Sequence, residues 1–281
     1  MQIAVTGGLG RLGRYVVREL AQHAVRVLDI GAPADCHPAD LRDIGALRAG
    51  LRDIEVVVHL GAIDRSVATD DAATMQVNAI GTWNLFEAAR ECGVRRVIHC
   101  SSSSVLGLDI SNPHMAPCYL PIDEAHPARA TDAYGLSKMC GERIAEAYSR
   151  RGLEVIVIRP CLVAFPEMMD FMVGKPAPEG RDEPPPYLCT YVGPEDCARG
   201  FVAAATTGYR GFETFFLAAA DAFSTEPTIT RLEALYGEEI PLHDVALYQR
   251  MPRASPVSHA AAHQRLGWVP TTRWTPGSIA G

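Results

Sequence analysis

Short apolar runs alternate along this chain with longer stretches whose apolar residues recur every three or four positions. Gln2-Ile-Ala-Val-Thr6, Val25-Arg-Val-Leu28, Val56-Val-Val-His-Leu60, Arg96-Val-Ile-His-Cys100, Glu154-Val-Ile-Val-Ile158 and Glu213-Thr-Phe-Phe-Leu217 read as strands. Between them, residues 14–22 (with Tyr15, Val16, Val17 and Leu20), 71–90, 133–150 and 194–205 read as helices. Strands apolar on both faces, each followed by a helix, predict an α/β fold: a doubly wound parallel sheet covered on both sides. After Pro160 the pattern weakens. Residues 166–186 are rich in proline with little periodicity, and are expected to form a lid or part of a smaller lobe. Helix 194–205 and strand 213–217 are expected to return to the main sheet, while a helix near 226–236 and a short one before Leu266-Gly-Trp268 finish the lobe. The domain expectation is a main domain over 1–160, rejoined by 192–217, and a small C-terminal substrate lobe from 161–191 and 218–281.

The turn between the first strand and the first helix is Gly7-Gly8-Leu9-Gly10-Arg11-Leu12-Gly13. Glycines at 7, 10 and 13 permit positive φ, close approach to a pyrophosphate and tight contact of helix on strand, with the helix N-terminus facing the anion. The second strand ends in Asp29, about twenty residues beyond the first glycine, where a carboxylate can grip the adenosine ribose hydroxyls. Asp29 would repel a 2′-phosphate, and Ile30 and Gly31 follow it with no arginine, so NAD is favoured over NADP. Asp40-Leu41 is placed to reach the adenine, and Leu60-Gly61-Ala62 closes the third strand where its carboxyl end meets the cofactor.

Bulk properties narrow the partners. The 281 residues carry 26 basic and 33 acidic side chains, a formal charge of −7 with no long run of either sign. That argues against nucleic acid or an anionic membrane as the main partner. Met1 leads directly into a strand, and no apolar run is long enough to span a bilayer, so a cytoplasmic protein is expected. The eight cysteines are scattered without a Cys-x-x-Cys pair and read as small hydrophobes, not as a disulfide frame or zinc site. His259 and His263 have helical spacing but no third ligand nearby, so no metal is expected.

Tyr134-Gly-Leu-Ser-Lys138 supplies candidate chemistry. Four residues apart on a helix, a phenol and an ammonium lie on one face. A neighbouring cation favours the phenolate and so suits tyrosine for proton exchange with an alcohol. Taken alone, such a pair more often reflects a tyrosine packed on its neighbours and a solvated lysine, because short motifs need context.

The surrounding residues decide what the pair resembles. Thr6-Gly-Gly-x-Gly-x-x-Gly13, Asp29, Asp40-Leu41, His59-Leu-Gly-Ala62, Asn78-Ala-Ile-Gly-Thr82, Ser101-Ser-x-x-Val-Leu-Gly107, Glu124, Tyr134-Gly-x-Ser-Lys138, Arg159-Pro160, Glu195-Asp-Cys-Ala198 and Leu266-Gly-Trp268 occur in one order. Together they resemble the extended short-chain dehydrogenases, also called the NAD-dependent epimerase/dehydratase family, over nearly the whole chain. The resemblance implies a Rossmann fold in which Tyr134 exchanges the proton of a substrate hydroxyl as hydride moves to or from the nicotinamide. Lys138 would hold the nicotinamide ribose and lower the tyrosine pKa, and Ser102 would hydrogen-bond the substrate oxygen, with Ser103 an alternative in the run of four serines. The backbone at Arg11 and Leu12 would meet the pyrophosphate, and Asn78 would buttress the cofactor side. Family members commonly pair through the helices corresponding to 71–90 and 133–150, which implies a homodimer with Trp83, Phe86 and Met139 serving either that contact or the core.

Departures from the family bear on substrate. Leu106 replaces the usual tyrosine before Gly107, and the interval from Pro160 to the next helix is shorter than in many nucleotide-sugar members. The shorter layout, with His59-Leu-Gly-Ala-Ile63, is similar to uronate dehydrogenases, yet Ser103-Ser104 stand where those have Asn-His, and Pro186 or Tyr187 where they have an arginine. A neutral or modestly polar sugar-like substrate is expected. A nucleotide-sugar epimerase or dehydratase with tightly held NAD is the alternative, and a non-enzymatic dinucleotide sensor on the same fold is a third.

Overall fold

Seven of the strands form one wholly parallel sheet in the computed structural model, which describes residues 1–31, 33, 36–64, 70–108, 115–168, 188–275 and 278–280. Pro186, Tyr187 and all but residues 166–168 of the proline-rich stretch lie outside the described residues. In chain order the first half runs β1 (Gln2–Thr6), α1 (Arg11–Glu19), β2 (Ala24–Asp29), β3 (His37–Pro38), α2 (Ile44–Gly50), β4 (Val56–His59), α3 (Asp71–Met75), α4 (Gly81–Glu91), β5 (Arg96–Cys100) and α5 (Ala133–Ser149). The second half runs β6 (Glu154–Pro160), β7 (Leu162–Val163), β8 (Tyr191–Val192), α6 (Pro194–Thr206), β9 (Phe212–Leu217), α7 (Thr228–Tyr236), α8 (Val245–Arg250), α9 (Ala260–Leu266), β10 (Arg273–Thr275) and β11 (Ser278–Ala280).

The strand order is β3-β2-β1-β4-β5-β6-β9. The chain starts mid-sheet, builds toward one edge, then crosses back over β1 to add β4. Between the carboxyl ends of β1 and β4 the connections leave in opposite directions, and the crevice so formed is where open α/β sheets bind ligands. Each face has its own core. Val16 of α1 and Leu20 just past its end join Cys197, Phe201 and Ala205 of α6 on one side, and Leu47 of α2, Leu85 and Phe86 of α4 and Tyr148 of α5 cover the other. Arg96, only 1 % exposed, is held inside the first layer because its guanidinium caps carbonyls at the end of α6 and pairs with Glu154.

The periodicity predicts one helix over 71–90. Instead α3 and α4 are joined by a wide π turn at Gln76–Ile80. Such turns insert a residue into the ladder and re-aim a side chain. Here Asn78 is turned inward: its amide accepts from Ile63 N at 2.7 Å and donates to Ile63 O at 3.0 Å, which ties the helix to the loop after β4.

A third core, with Leu120, Ile122, Leu232, Tyr236 and Val257, makes the small lobe against Phe216 of β9. Leu120 and Ile122 pair with Leu242 and Val257, and Glu124 receives Phe216 N at 2.8 Å. Ala262 and Trp268, from late in the chain, are buried with residues of the sheet's own core. Trp268 Nε1 donates to the Asp196 carbonyl at 2.8 Å, and the Asp196 carboxylate accepts from Thr271 N and Thr272 N at 2.9 and 2.7 Å.

Candidate active site

At the carboxyl edge of the sheet a single cavity of about 1210 Å³ runs from Asp29 and Asp40 to Tyr134 and Thr190. Its floor is the glycine turn. Gly7 has φ +69°, and a Cβ there would come within 2.8 Å of Gly61 Cα; one on Gly13 would run into the Gly7 carbonyl oxygen and Gly8. Both positions exclude side chains so that α1, the turn and the β4 loop can close on one another. Asp29 accepts from Leu9 N at 2.9 Å, which fixes the turn, and still lines the cavity. Ile30 lines it too although 67 % exposed, so an apolar surface faces the open groove. Asp40 is gripped by Arg42, whose hydrogen bonds hold the Asp40 carboxyl below its usual range. Gly10, Arg11, Leu12, Leu41, Leu60, Gly61 and Ala62 complete this half. Arg11 reaches across the mouth to Asp64 at 3.4 Å and Glu167 at 3.7 Å, over the ring of Phe165.

Beneath the floor lies a fully committed polar chain. Thr82 gives its hydroxyl proton to the Asn78 carbonyl at 2.5 Å, so it accepts from His59 Nε2 at 3.1 Å. In the neutral ring Nδ1 then accepts from the Thr6 hydroxyl at 2.7 Å, while Thr6 Oγ1 also accepts from Gly61 N at 3.1 Å. His59 is thus held neutral, and burial, with help from the Lys138 charge, pushes its pKa down to about 3. Asn78 does not line the cavity. It sits behind the wall and bonds Ser137 Oγ at 3.2 Å, and Ser137 in turn donates to the Tyr134 carbonyl at 2.7 Å.

The far half is organised by α5. Asp132 caps the helix by accepting from Gly135 N at 2.9 Å, and the first turns present Tyr134 and Lys138 to the cavity. Lys138 is 5 % exposed; its Nζ donates to the Cys100 carbonyl at 2.9 Å and lies 5.7 Å from the centre of the Tyr134 ring. Burial lowers the Lys138 pKa, opposed by Cys100, Asp64 and Glu142. The four serines are sorted by their partners. Ser101 is buried and donates to Glu142 Oε1 at 2.6 Å. Ser102, with φ −162°, caps the short 3₁₀ turn Ser103–Leu106, accepting from Ser104 N and donating to Ser104 Oγ, both at 3.0 Å. Ser102, Ser103 and Ser104 all line the cavity.

Every sequence-expected site residue except Asn78 therefore borders one cavity. Sequence reasoning met Thr6 and Arg159 within motifs but gave them no role, and passed over Asp132 and Glu142. Glu142 had a signal: it stands at the same four-residue spacing from Lys138 as Lys138 does from Tyr134.

The glycine turn, the strand-end carboxylate and the apolar groove beside it fit a dinucleotide, and comparison with known proteins agrees. The profile of the NAD dependent epimerase/dehydratase family matches residues 3–178, well over half of the chain. The chain belongs to this family. Among curated relatives of this epimerase/dehydratase protein, a uronate dehydrogenase of Pseudomonas syringae pv. tomato is 34 % identical over 161 residues, 54 % of this chain and 55 % of that protein. An L-arabinose 1-dehydrogenase (NAD(P)(+)) of Haloferax volcanii is 33 % identical over 167 residues, 56 % of this chain and 65 % of that one. The chain thus spans little more than half the length of these relatives. A short-chain dehydrogenase/reductase superfamily protein from Agrobacterium tumefaciens, solved with bound NAD, superposes with a TM-score of 0.71 at 23 % identity, covering 98 % of this chain and 94 % of that one. MoeE5, solved with UDP-glucuronic acid and NAD, gives 0.72 at 23 %, covering 99 % and 95 %. At such identity the structural likeness speaks for the fold alone.

Proposed function

We propose that this epimerase/dehydratase family member is an NAD-dependent oxidoreductase acting at a secondary alcohol of a neutral sugar or sugar-like molecule, through Ser102, Tyr134 and Lys138. The observation that carries the reading is that these three side chains line the same cavity as the glycine turn and Asp29. Gly7, Gly10, Arg11, Leu12 and Gly13 would seat the pyrophosphate, Asp29 the adenosine ribose, Ile30, Asp40 and Leu41 the adenine side, and Leu60–Ala62 with Lys138 the nicotinamide end. NAD, when bound, supplies the acceptor for the hydride. The Tyr134 phenolate takes the hydroxyl proton, and the adjacent Lys138 ammonium favours that phenolate. The Ser102 hydroxyl holds the oxygen on which charge grows as the proton leaves.

The wall around the reacting alcohol supports an uncharged substrate. Among the described lining residues, the stretches 101–108, 131–138, 160–163, 188 and 190 carry Lys138 as their one cation and Asp132 as their one carboxylate. Lys138 is committed to Cys100 and Tyr134, and Asp132 disfavours a carboxylate or diphosphate there. We propose also that the protein pairs as a homodimer across the α4 and α5 faces. Phe86 is fully buried, whereas Ile80, Trp83 and Leu136 are 57, 47 and 40 % exposed there.

Purified protein with NAD and a panel of aldoses, uronates, lactones and polyols tests the reading by NADH absorbance; neutral members should turn over faster than uronates. Tyr134→Phe should keep NAD binding and lose about 10²–10⁴-fold in rate. Product formed without net NADH would instead favour an epimerase, and full activity in Tyr134→Phe would remove the assignment.

A further inference from the structure

Tyr134, Lys138 and Glu142 form a stripe at four-residue intervals along α5, and the two residues beyond the tyrosine are each fastened to the end of β5. Lys138 Nζ donates to the carbonyl of Cys100 at 2.9 Å, and one turn later Glu142 Oε1 accepts from Ser101 Oγ at 2.6 Å. The same carboxylate is forked by Arg159 of β6, with Nε on Oε1 and Nη2 on Oε2, both at 2.8 Å. These side chains are 12 % and 8 % exposed. Arg159 is packed further over the Phe216 ring at 5.2 Å, and Ser101 N donates to Ile158 O at 2.7 Å, so the serine lies against β6 as well.

We propose that Glu142 and Arg159, acting through Ser101, are positioning residues that hold Ser102 in register with Tyr134 and Lys138. The proposal rests on the Ser102, Tyr134 and Lys138 reading given above. α5 is seated in the core by Tyr148 and tied through Ser137 to Asn78. The Lys138 and Glu142 bonds add two ties, one turn apart, to Cys100 and Ser101, the residues that lead into Ser102. Ser102 follows Ser101 directly, so whatever holds Ser101 to the helix holds the oxygen donor opposite the phenol. A buried ion pair contributes little net stability once desolvation is counted, and geometry is the return such a pair can give. The fork of Arg159 on Glu142 is well suited to that task because a bidentate pair fixes angle as well as distance. A misplacement of about 1 Å between reacting groups costs on the order of 10²-fold in rate.

Ser101→Ala separates this role from a merely structural one, since it leaves the Glu142–Arg159 pair intact. The melting temperature and the NAD dissociation constant should stay near wild type. kcat on whichever panel alcohol the wild type oxidises should fall about tenfold or more, with KM little changed, and Ser101→Thr should recover most of the loss. In Glu142→Gln, removal of a carboxylate that helps Lys138 keep its proton should move the alkaline limb of the kcat profile to lower pH. A readout independent of substrate is the Ser102 Oγ to Tyr134 Oη separation in NAD-bound crystals of wild type and Ser101→Ala, which should differ by about 1 Å. Superimposable side chains, or wild-type kcat in Ser101→Ala where Tyr134→Phe is inactive, overturns the positioning role alone. An active Tyr134→Phe removes the site reading, and the positioning role with it.

Discussion

Acidification from about pH 7 to about pH 5 should weaken the fold through His59, whose ring is 2 % exposed and already engaged at both nitrogens. Protonation would need a donor at Nδ1, where the Thr6 hydroxyl already donates. The unfolded chain accepts a proton near the ordinary value of 6.5, while the folded site refuses it until about 3. The folded value being the lower, this contribution is complete above the unfolded pKa and is lost as the pH falls toward the folded one. Between pH 7 and pH 5 linkage then removes about 2 kcal/mol, for a chain of this size a melting temperature lower by roughly 4–8 °C. His99 lies 5.4 Å from His59, centre to centre, and burial pushes it well down too, so it acts in the same direction. This window lies above the range in which ordinary carboxylates titrate. His59→Gln retains an acceptor for Thr6 and a donor for Thr82 but cannot titrate. Urea unfolding at several pH values should show a flatter pH dependence in the variant; equal dependence in the two proteins would refute the argument.

Two further outcomes follow from the same geometry. Gly13→Ala sets a methyl group against the Gly7 carbonyl and Gly8, all backbone, so the turn must move; a loss of about 1–3 kcal/mol in stability and about tenfold in NAD affinity by calorimetry is expected, and unchanged affinity would show that the cofactor is seated elsewhere. Trp83, 47 % exposed with its ring edge on Tyr148 at 5.5 Å, should support the dimer. Trp83→Glu should give a monomer by light scattering with its fold retained, and a monomeric wild type would remove the proposal.

The sheet was legible because β1, β4, β5 and β6 lie inside it and must be apolar on both faces, so their identity needs no knowledge of neighbours. The glycine turn was legible for a similar reason: each glycine answers a steric demand within a few residues. Features that depend on distant partners were not. The π turn at Gln76–Ile80 is held by Ile63, which no local periodicity can report. Glu142 looks like one more polar residue on a helix until β6 brings Arg159 to it. Trp268 follows the small lobe in sequence, but its indole finds the Asp196 carbonyl beneath the sheet. In the run of four serines, composition cannot distinguish the hydroxyls; all four border the cavity, and the commitment of the Ser101 hydroxyl to Glu142 sets it apart from its three neighbours.

The chain leaves the sheet for the small lobe at the end of β9 and rejoins it at α9, where Ala262 and Trp268 are sunk in the main core. A third tie is Glu124, whose carboxylate receives the amide of Phe216. A clam-like swing of the whole lobe about one hinge would have to tear at least one of these moorings. Discrimination between candidate alcohols therefore falls to the resting shape of the walls, and exchanging side chains such as Leu162 or Leu188 should retune selectivity without disturbing how the two parts are joined.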